Sequence, residues 1–203
     1  YDFFLRGENL FFTIGDVSGK GVPASLFMAI TRSLFRIIAG SKDSPAQIAN
    51  ILNHAIADRN EANMFITMYI GVLNINSGEL TFCNAGHNPP VLVLPDGKCD
   101  FQEVCPNLPI GVLDGFEYEE QTIHLPNYAT LLLYTDGLNE AENILHEQFG
   151  EARLMQEVQK CHQCPVEEIV THMQKQVMEF AGSAEQSDDL TLLAVRLREK
   201  NKA

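Results

Sequence analysis

Three aspartates in the sequence share a setting that suits metal chemistry. Asp16, Asp136 and Asp188 each follow or precede an apolar stretch of strand length and lie in a tight turn. Strand ends are rigid, and functional side chains are often placed where a strand meets a loop. Carboxylates that meet from several strand ends repel one another unless a cation lies between them. Mg²⁺ and Mn²⁺ prefer oxygen ligands, so the pattern predicts a metal site built from Asp16, Asp136 and either Asp188 or Asp189.

Each aspartate taken singly also has a purely structural explanation. Asp is common in turns because its side chain caps nearby backbone N–H groups. The Gly-rich turn from Gly15 to Gly21 is not a P-loop: its spacing is one residue short, and Gly21 stands where Ser or Thr would bind Mg²⁺. The sequence also contains no G-x-S-x-G or H-E-x-x-H motif, which leaves a Ser-His-Asp hydrolase unsupported.

The elements that must position these residues follow from hydrophobic periodicity. The patterns predict about seven strands and four helices. The strands cover 9–15, 65–75, 79–85, 91–94, 116–125, 129–134 and 190–197, and the helices cover 23–39, 45–56, 149–161 and 165–181. Residues 1–5 also read as the middle of a strand. Helices in pairs and strands in antiparallel runs predict an α+β fold with two antiparallel sheets covered by helix pairs.

The helix predicted after the Gly-rich turn is apolar on nearly every side. Such a helix is either buried in a core or covered by a partner. The next helix starts at Ser44, which has capping-box spacing to Gln47.

Composition limits the classes of function. The chain has 203 residues, 45% hydrophobic and 20% charged, which fits one globular domain. A formal net charge of −13 without a basic cluster argues against binding to nucleic acid. The apolar runs fall short of the roughly 20 residues that span a bilayer, so we expect no direct membrane insertion. Because the sequence lacks an initiating Met and starts within a strand pattern, we expect it to be a fragment of a longer protein.

The five cysteines point to a reducing compartment. An odd number of cysteines with no export signal predicts a cytoplasmic location. Cys161 and Cys164 have C-x-x-C spacing, but no second pair lies at zinc-ribbon spacing, so we expect no structural zinc.

Four ordered blocks resemble the SpoIIE/RsbU-type serine phosphatases, a branch of the metal-dependent protein phosphatases (the PPM or type 2C family). The blocks are DVSGKGVPA at 16–24, NAGHNPP at 84–90, LYTDGLNEA at 133–141 and SDDLTLL at 187–193. Together they extend over nearly the whole chain.

The resemblance implies an αββα sandwich with a binuclear Mn²⁺ or Mg²⁺ site. By the family pattern Asp16 bridges both metals and the Val17 carbonyl holds one of them. Asp136 and Asp188 hold the other metal, and Asp189 occupies the position after a ligand. These residues would act on the phosphate through water activated by the metals, with no covalent phosphoenzyme. The family also carries an acidic ligand in a Gly-Gly-Asp string just before the position of Tyr1, so we expect one metal site to be weak here, and Asp2 is not a safe substitute.

The implied substrate is a phosphoserine or phosphothreonine of a regulatory protein, usually an anti-anti-sigma (STAS) factor in bacterial signal transduction. Residues 1–203 would then be one phosphatase domain of a longer signalling protein, which forms a homodimer through an upstream regulatory region. The alternatives are a pseudophosphatase that only docks its partner and a small-molecule phosphohydrolase. His87 fits either a general acid or a structural corner, and the Gly and Pro residues around it favour the corner.

Overall fold

A computed structural model describes residues 1–58, 60, 63–186 and 188–198; Ser187, the first residue of the fourth block, lies outside the described residues. In chain order the elements are β1 Asp2–Arg6, β2 Asn9–Val17, α1 Val22–Ala39, α2 Pro45–Ala57, β3 Ile66–Asn74, β4 Glu79–Ala85, β5 Val91–Val93, β6 Cys99–Phe101, β7 Gln121–His124, β8 Thr130–Tyr134, α3 Gly150–Lys160, α4 Val166–Ala181 and β9 Leu192–Arg196. They form two compact units, one from 1–87 and 104–124 and the other from 88–103 and from Leu125 onward.

The first unit is an antiparallel sheet with the strand order β1-β2-β3-β4-β7, together with α1 and α2. The β3–β4 turn forms because the Asn74 side chain accepts hydrogen bonds from the N–H groups of Asn76 and Ser77. Helix α2 begins as predicted at Ser44, whose hydroxyl accepts from the N–H of Gln47. Fully buried side chains of β2, β3 and α2 fill the core of this unit.

Helix α1 has its predicted length, but only one side of it is buried within this chain. Its buried side is narrow and consists of Thr31, Phe35, Ile38 and Ala39. Leu26, Ile30 and Ile37 are 59–71% exposed, so this side of the helix is not buried in a core of this chain, and cover by a partner stays a prediction. The helix also has the length and mean hydropathy, 1.4, of a membrane span, but core helices of soluble proteins meet the same measure, so it is weak evidence for one.

The second unit is an antiparallel sheet with the strand order β6-β5-β8-β9, together with α3 and α4. All five residues of β8 are buried, as expected for the predicted central strand. The guanidinium of Arg196 donates to the hydroxyl of Thr130 and to the carbonyls of His162 and Cys164. These hydrogen bonds connect the turn at Cys161–Cys164 to β9.

The predicted α+β class with two antiparallel sheets and two helix pairs is confirmed. The strand predicted over 116–125 is formed only from Gln121 to His124. Upstream of it, the N–H groups of Tyr118 and Glu119 donate to the side chains of Asn50 and Asn107, so they make no strand pairing. The three-residue strand β6 was not predicted, because so short a segment gives no periodic signal.

Candidate metal centre

Asp136 lies two residues beyond the last residue of β8, in a turn that fixes its backbone. The carbonyl of Asp136 accepts from the N–H of Glu140 at 2.8 Å, and the carbonyl of Thr135 accepts from Leu138 at 3.0 Å. Oδ1 of Asp136 is buried, and no donor among the described residues lies within hydrogen-bonding distance of it. A buried carboxylate oxygen with no donor is costly unless a cation supplies the missing interaction.

Asp188 lies in the loop before β9 and brings a second carboxylate to this place. Its Oδ1 accepts from the N–H of Asp189 at 2.7 Å, and its carbonyl accepts from the Gln186 side chain at 2.7 Å. Asp136 and Asp188 each offer a carboxylate oxygen, and these two atoms lie within 4.8 Å of each other. Two anionic oxygens this close fit a hard divalent cation, because the repulsion between them is relieved when a cation is bound.

Thr135 and Gly137 hold the Asp136 turn against the Asp188 loop. The buried hydroxyl of Thr135 donates to the carbonyl of Asp189 at 2.8 Å and accepts from the N–H of Thr191 at 2.9 Å. A Cβ on Gly137 would lie 2.5 Å from that same carbonyl oxygen, so only glycine allows this approach. Thr135 and Gly137 both flank Asp136 in the third block, but neither was predicted to make these contacts, because they involve residues more than 50 positions away.

Asp16 and Val17 lie at the end of β2 in the first unit. Their partners across the β2–β3 ladder are Thr67 and Ile66. Asp16 is half-buried and Val17 is buried. Beside them, a Cβ on Gly15 would meet the carbonyl oxygen of Thr67 at 2.8 Å, so the glycine permits close strand packing here. The sheet therefore holds the backbone of both residues rigidly.

His87 forms a structural corner at the end of β4. Its N–H donates to the Asn84 side chain, and its carbonyl accepts from the same amide, both at 2.8 Å. Its Nδ1 lies 2.9 Å from the hydroxyl of Thr67. The preceding Gly86 has φ +71°, and Pro109 packs against it, so the chain turns sharply here. These contacts favour the structural explanation of His87.

The carboxylate of Asp2 forms ion pairs with two arginines in this structure. Its buried carboxylate accepts hydrogen bonds from the Arg36 guanidinium at 2.5 and 2.6 Å, and Arg32 lies 3.3 Å away. The hydrogen bonds from Arg36 lower the pKa of Asp2 to about 2. A carboxylate held in this way is a poor candidate for a metal ligand.

Comparisons with known proteins agree with the four sequence blocks. The family model described as Stage II sporulation protein E (SpoIIE) matches residues 6–198. Protein IcfG of Synechocystis sp. is 30% identical in an alignment 224 positions long, gaps included, that covers 96% of this chain and 35% of IcfG. Phosphoserine phosphatase RsbU of Bacillus subtilis is 26% identical over 199 residues, which cover 97% of this chain and 58% of RsbU. The chain thus spans between about a third and somewhat over half of these relatives.

Solved structures share the fold. A crystal structure of the RsbU and RsbW domains of a Mycobacterium tuberculosis protein matches with a TM-score of 0.85 and 26% identity, covering 97% of this chain and 54% of that one. The catalytic domain of the serine/threonine protein phosphatase PstP, in complex with two manganese ions, matches with a TM-score of 0.67 over 98% of this chain and 91% of that one. At 13% identity the PstP match shows the fold alone.

Proposed function

The chain belongs to the SpoIIE family, and from this premise we propose that it is a metal-dependent protein serine/threonine phosphatase in bacterial signalling. The observation that carries the proposal is the carboxylate pair of Asp136 and Asp188, with its buried oxygen that lacks a donor. The similarity to a relative named a phosphoserine phosphatase supports the same reaction class.

In this proposal Asp16, Asp136 and Asp188 hold the metal ions, each through a carboxylate oxygen. The carbonyl of Val17 is a fourth ligand, and Asp189 is a candidate for a fifth. The ions are Mn²⁺ or Mg²⁺, since the donors are all oxygen atoms, and the resemblance of the four sequence blocks to the family supports a binuclear site. Divalent cations bound there would lower the pKa of a water molecule and neutralise charge on the phosphate.

The protein's own residues have two tasks in this reaction. The aspartates fix the positions of the cations, and the turn and loop around them must keep those positions within a few tenths of an ångström. Thr135 and Gly137 serve the second task, because they join the backbone of the Asp136 turn to that of the Asp188 loop. They are positioning residues and need not touch the substrate.

The substrate we propose is a phosphorylated regulatory protein of the STAS anti-anti-sigma type. We further propose that residues 1–203 act as one cytoplasmic phosphatase domain, and that an upstream regulatory region makes the longer protein a homodimer. The acidic net charge of −13 supports a protein substrate over nucleic acid.

The test is release of phosphate from p-nitrophenyl phosphate and from a phosphoserine peptide, with Mn²⁺, with Mg²⁺ and with a chelator. The intact protein should turn over both substrates only with a divalent cation. Asp136→Asn should lower kcat at least about 100-fold without lowering the melting temperature of the metal-free protein. The matched control is Asp96→Asn, since Asp96 is also a turn aspartate, whose Oδ1 accepts from the N–H of Lys98.

Two results would count against the proposal. Unchanged turnover by Asp136→Asn would contradict the metal assignment. Absence of hydrolysis under all conditions, together with tight binding of a phosphorylated partner, would instead support a pseudophosphatase that only docks.

A further inference from the structure

A groove of about 390 Å³ opens beside the carboxylate pair in the second unit. Its lining includes Gly137, which directly follows Asp136, and Leu190, which directly follows Asp189. Its walls include Ala141 and Glu142 of the turn and Val177 and Met178 of α4. The groove therefore comes within one residue of a proposed metal ligand, and part of its wall is formed by α4.

Exposed apolar side chains lie in the groove and in the turn that follows Glu142. Met178 lines the groove and is 65% exposed, and Ile144 and Leu145, which do not line it, are 67% and 72% exposed. Leu145 lies three residues beyond Glu142, so it can be no more than about 10 Å along the chain from the groove wall. Large exposed apolar side chains in and near a groove are typical of a binding surface.

The turn that carries Ile144 and Leu145 is held by its own hydrogen bonds. Asn143 donates its N–H to the carbonyl of Glu147, and its side chain accepts from the N–H groups of Leu145 and Glu147. The two apolar side chains are thus presented outward from a closed turn, and little ordering entropy would remain to be lost on binding.

The acidic charge of the groove favours a partner with a basic side chain. Its two charged lining residues, Glu142 and Glu185, are both acidic. Glu142 lies 2.8 Å from the ring nitrogen Nδ1 of the exposed His146, while Glu185 is exposed to solvent. A partner that places a basic group here gains complementary charge, and one that places an acidic group here is repelled.

We propose that this groove binds the segment of a phosphoprotein substrate that flanks its phosphoserine, and that the segment carries an apolar side chain together with a Lys or Arg. The inference rests on the proposed phosphatase function and adds the substrate chemistry to it. The apolar side chain would pack against Met178 and the Ile144–Leu145 turn, and the basic group would pair with Glu185.

The test measures binding of labelled peptides to the intact protein by fluorescence anisotropy. The probe contains a non-hydrolysable phosphonate analogue of phosphoserine flanked by Leu and Lys, and two further peptides replace Leu with Ser or Lys with Glu. The Leu-to-Ser peptide should bind about tenfold more weakly, and the Lys-to-Glu peptide about fivefold more weakly. Met178→Ser and Leu145→Ser should remove the preference for Leu, and Glu185→Gln should reduce the preference for Lys.

The matched control is Leu113→Ser, which removes a side chain that is 54% exposed in the first unit. It should leave all peptide preferences unchanged. Equal binding of the three peptides by the unaltered protein, or preferences that persist in the groove variants, would overturn the inference. Turnover of p-nitrophenyl phosphate tests the proposed function separately, because this substrate is too small to reach the groove beyond the metal ligands. The groove variants should retain this turnover. If the unaltered protein shows no such turnover, the proposed phosphatase activity is refuted instead.

Discussion

Replacing Gly137 with Ala would change the spacing of two proposed metal ligands without changing their chemistry. The new Cβ would lie 2.5 Å from the carbonyl oxygen of Asp189 and 2.9 Å from its carbonyl carbon. Gly137 is not among the glycines with positive φ, so alanine adds no backbone strain here. Any effect of the substitution must come from this contact.

The size of the effect follows from the geometry. Side-chain Cβ atoms essentially never approach another atom more closely than 3.0 Å, so the turn and the loop must separate by at least about 0.5 Å. Metal–ligand distances tolerate only about 0.2 Å. We therefore expect metal affinity to fall about 10- to 100-fold, as it does when a supporting contact behind a ligand is lost. Crowding should also lower the free energy of unfolding by about 1–3 kcal/mol.

Calorimetric titration with Mn²⁺ would measure the affinity, and thermal unfolding of the metal-free protein would measure the stability. Gly40→Ala is the control, because Gly40 has an ordinary helical φ of −65° and its Cβ would come no closer than 3.2 Å to its neighbours. The reasoning is refuted if Gly137→Ala folds normally and binds Mn²⁺ as tightly as the unaltered protein.

Three further predictions concern single side chains. Thr135→Val leaves the carbonyl of Asp189 and the N–H of Thr191 without their partner, so it should cost about 1–3 kcal/mol and lower the melting temperature, while Thr135→Ser should restore most of the loss. The hydrogen bonds from Arg36 hold the pKa of Asp2 at about 2, below its ordinary 3.8. Urea unfolding should therefore show Asp2→Asn less stable by about 1–2 kcal/mol above pH 4, with the difference shrinking as the pH falls from 4 and lost only below about pH 2; a constant difference would contradict this. Burial raises the pKa of the Cys83 thiol to about 12 and that of Cys161 to about 11, so at pH 8 both should react with a disulfide reagent only at the rate of unfolding, and rapid modification of either would show that it is accessible.

The regular elements could be predicted because their signals are local. The periodic apolar residues of α2 and its Ser44 cap, the turn at Asn76–Gly78 and the apolar run of β8 each lie within a short window of the sequence. The aspartates proposed as metal ligands were also recognisable, because each of them lies close to the end of an apolar strand. The ordered blocks added the family, which no single motif would have given.

Other features depend on residues that are distant in the sequence. The exposure of Ile30 and Ile37 in α1 is decided by which side of the helix packs on the first sheet, and periodicity cannot reveal that for a helix that is apolar on nearly every side. The role of Asp2 depends on Arg36, 34 residues away. Strand β7 is shorter than predicted because the side-chain oxygens of Asn50 and Asn107 accept hydrogen bonds from backbone N–H groups that a longer strand would have paired.

The sequence by itself therefore determined most of the secondary structure, the fold class and the acidic residues proposed to bind a metal. Only the tertiary structure decided how Asp136 and Asp188 are held together, through the hydroxyl of Thr135 and the missing Cβ of Gly137. The physical reason is that helices and turns are stabilised by contacts within a few residues, whereas the spacing of two ligands more than 50 residues apart is set by van der Waals contact and hydrogen bonds that exist only after the chain has folded.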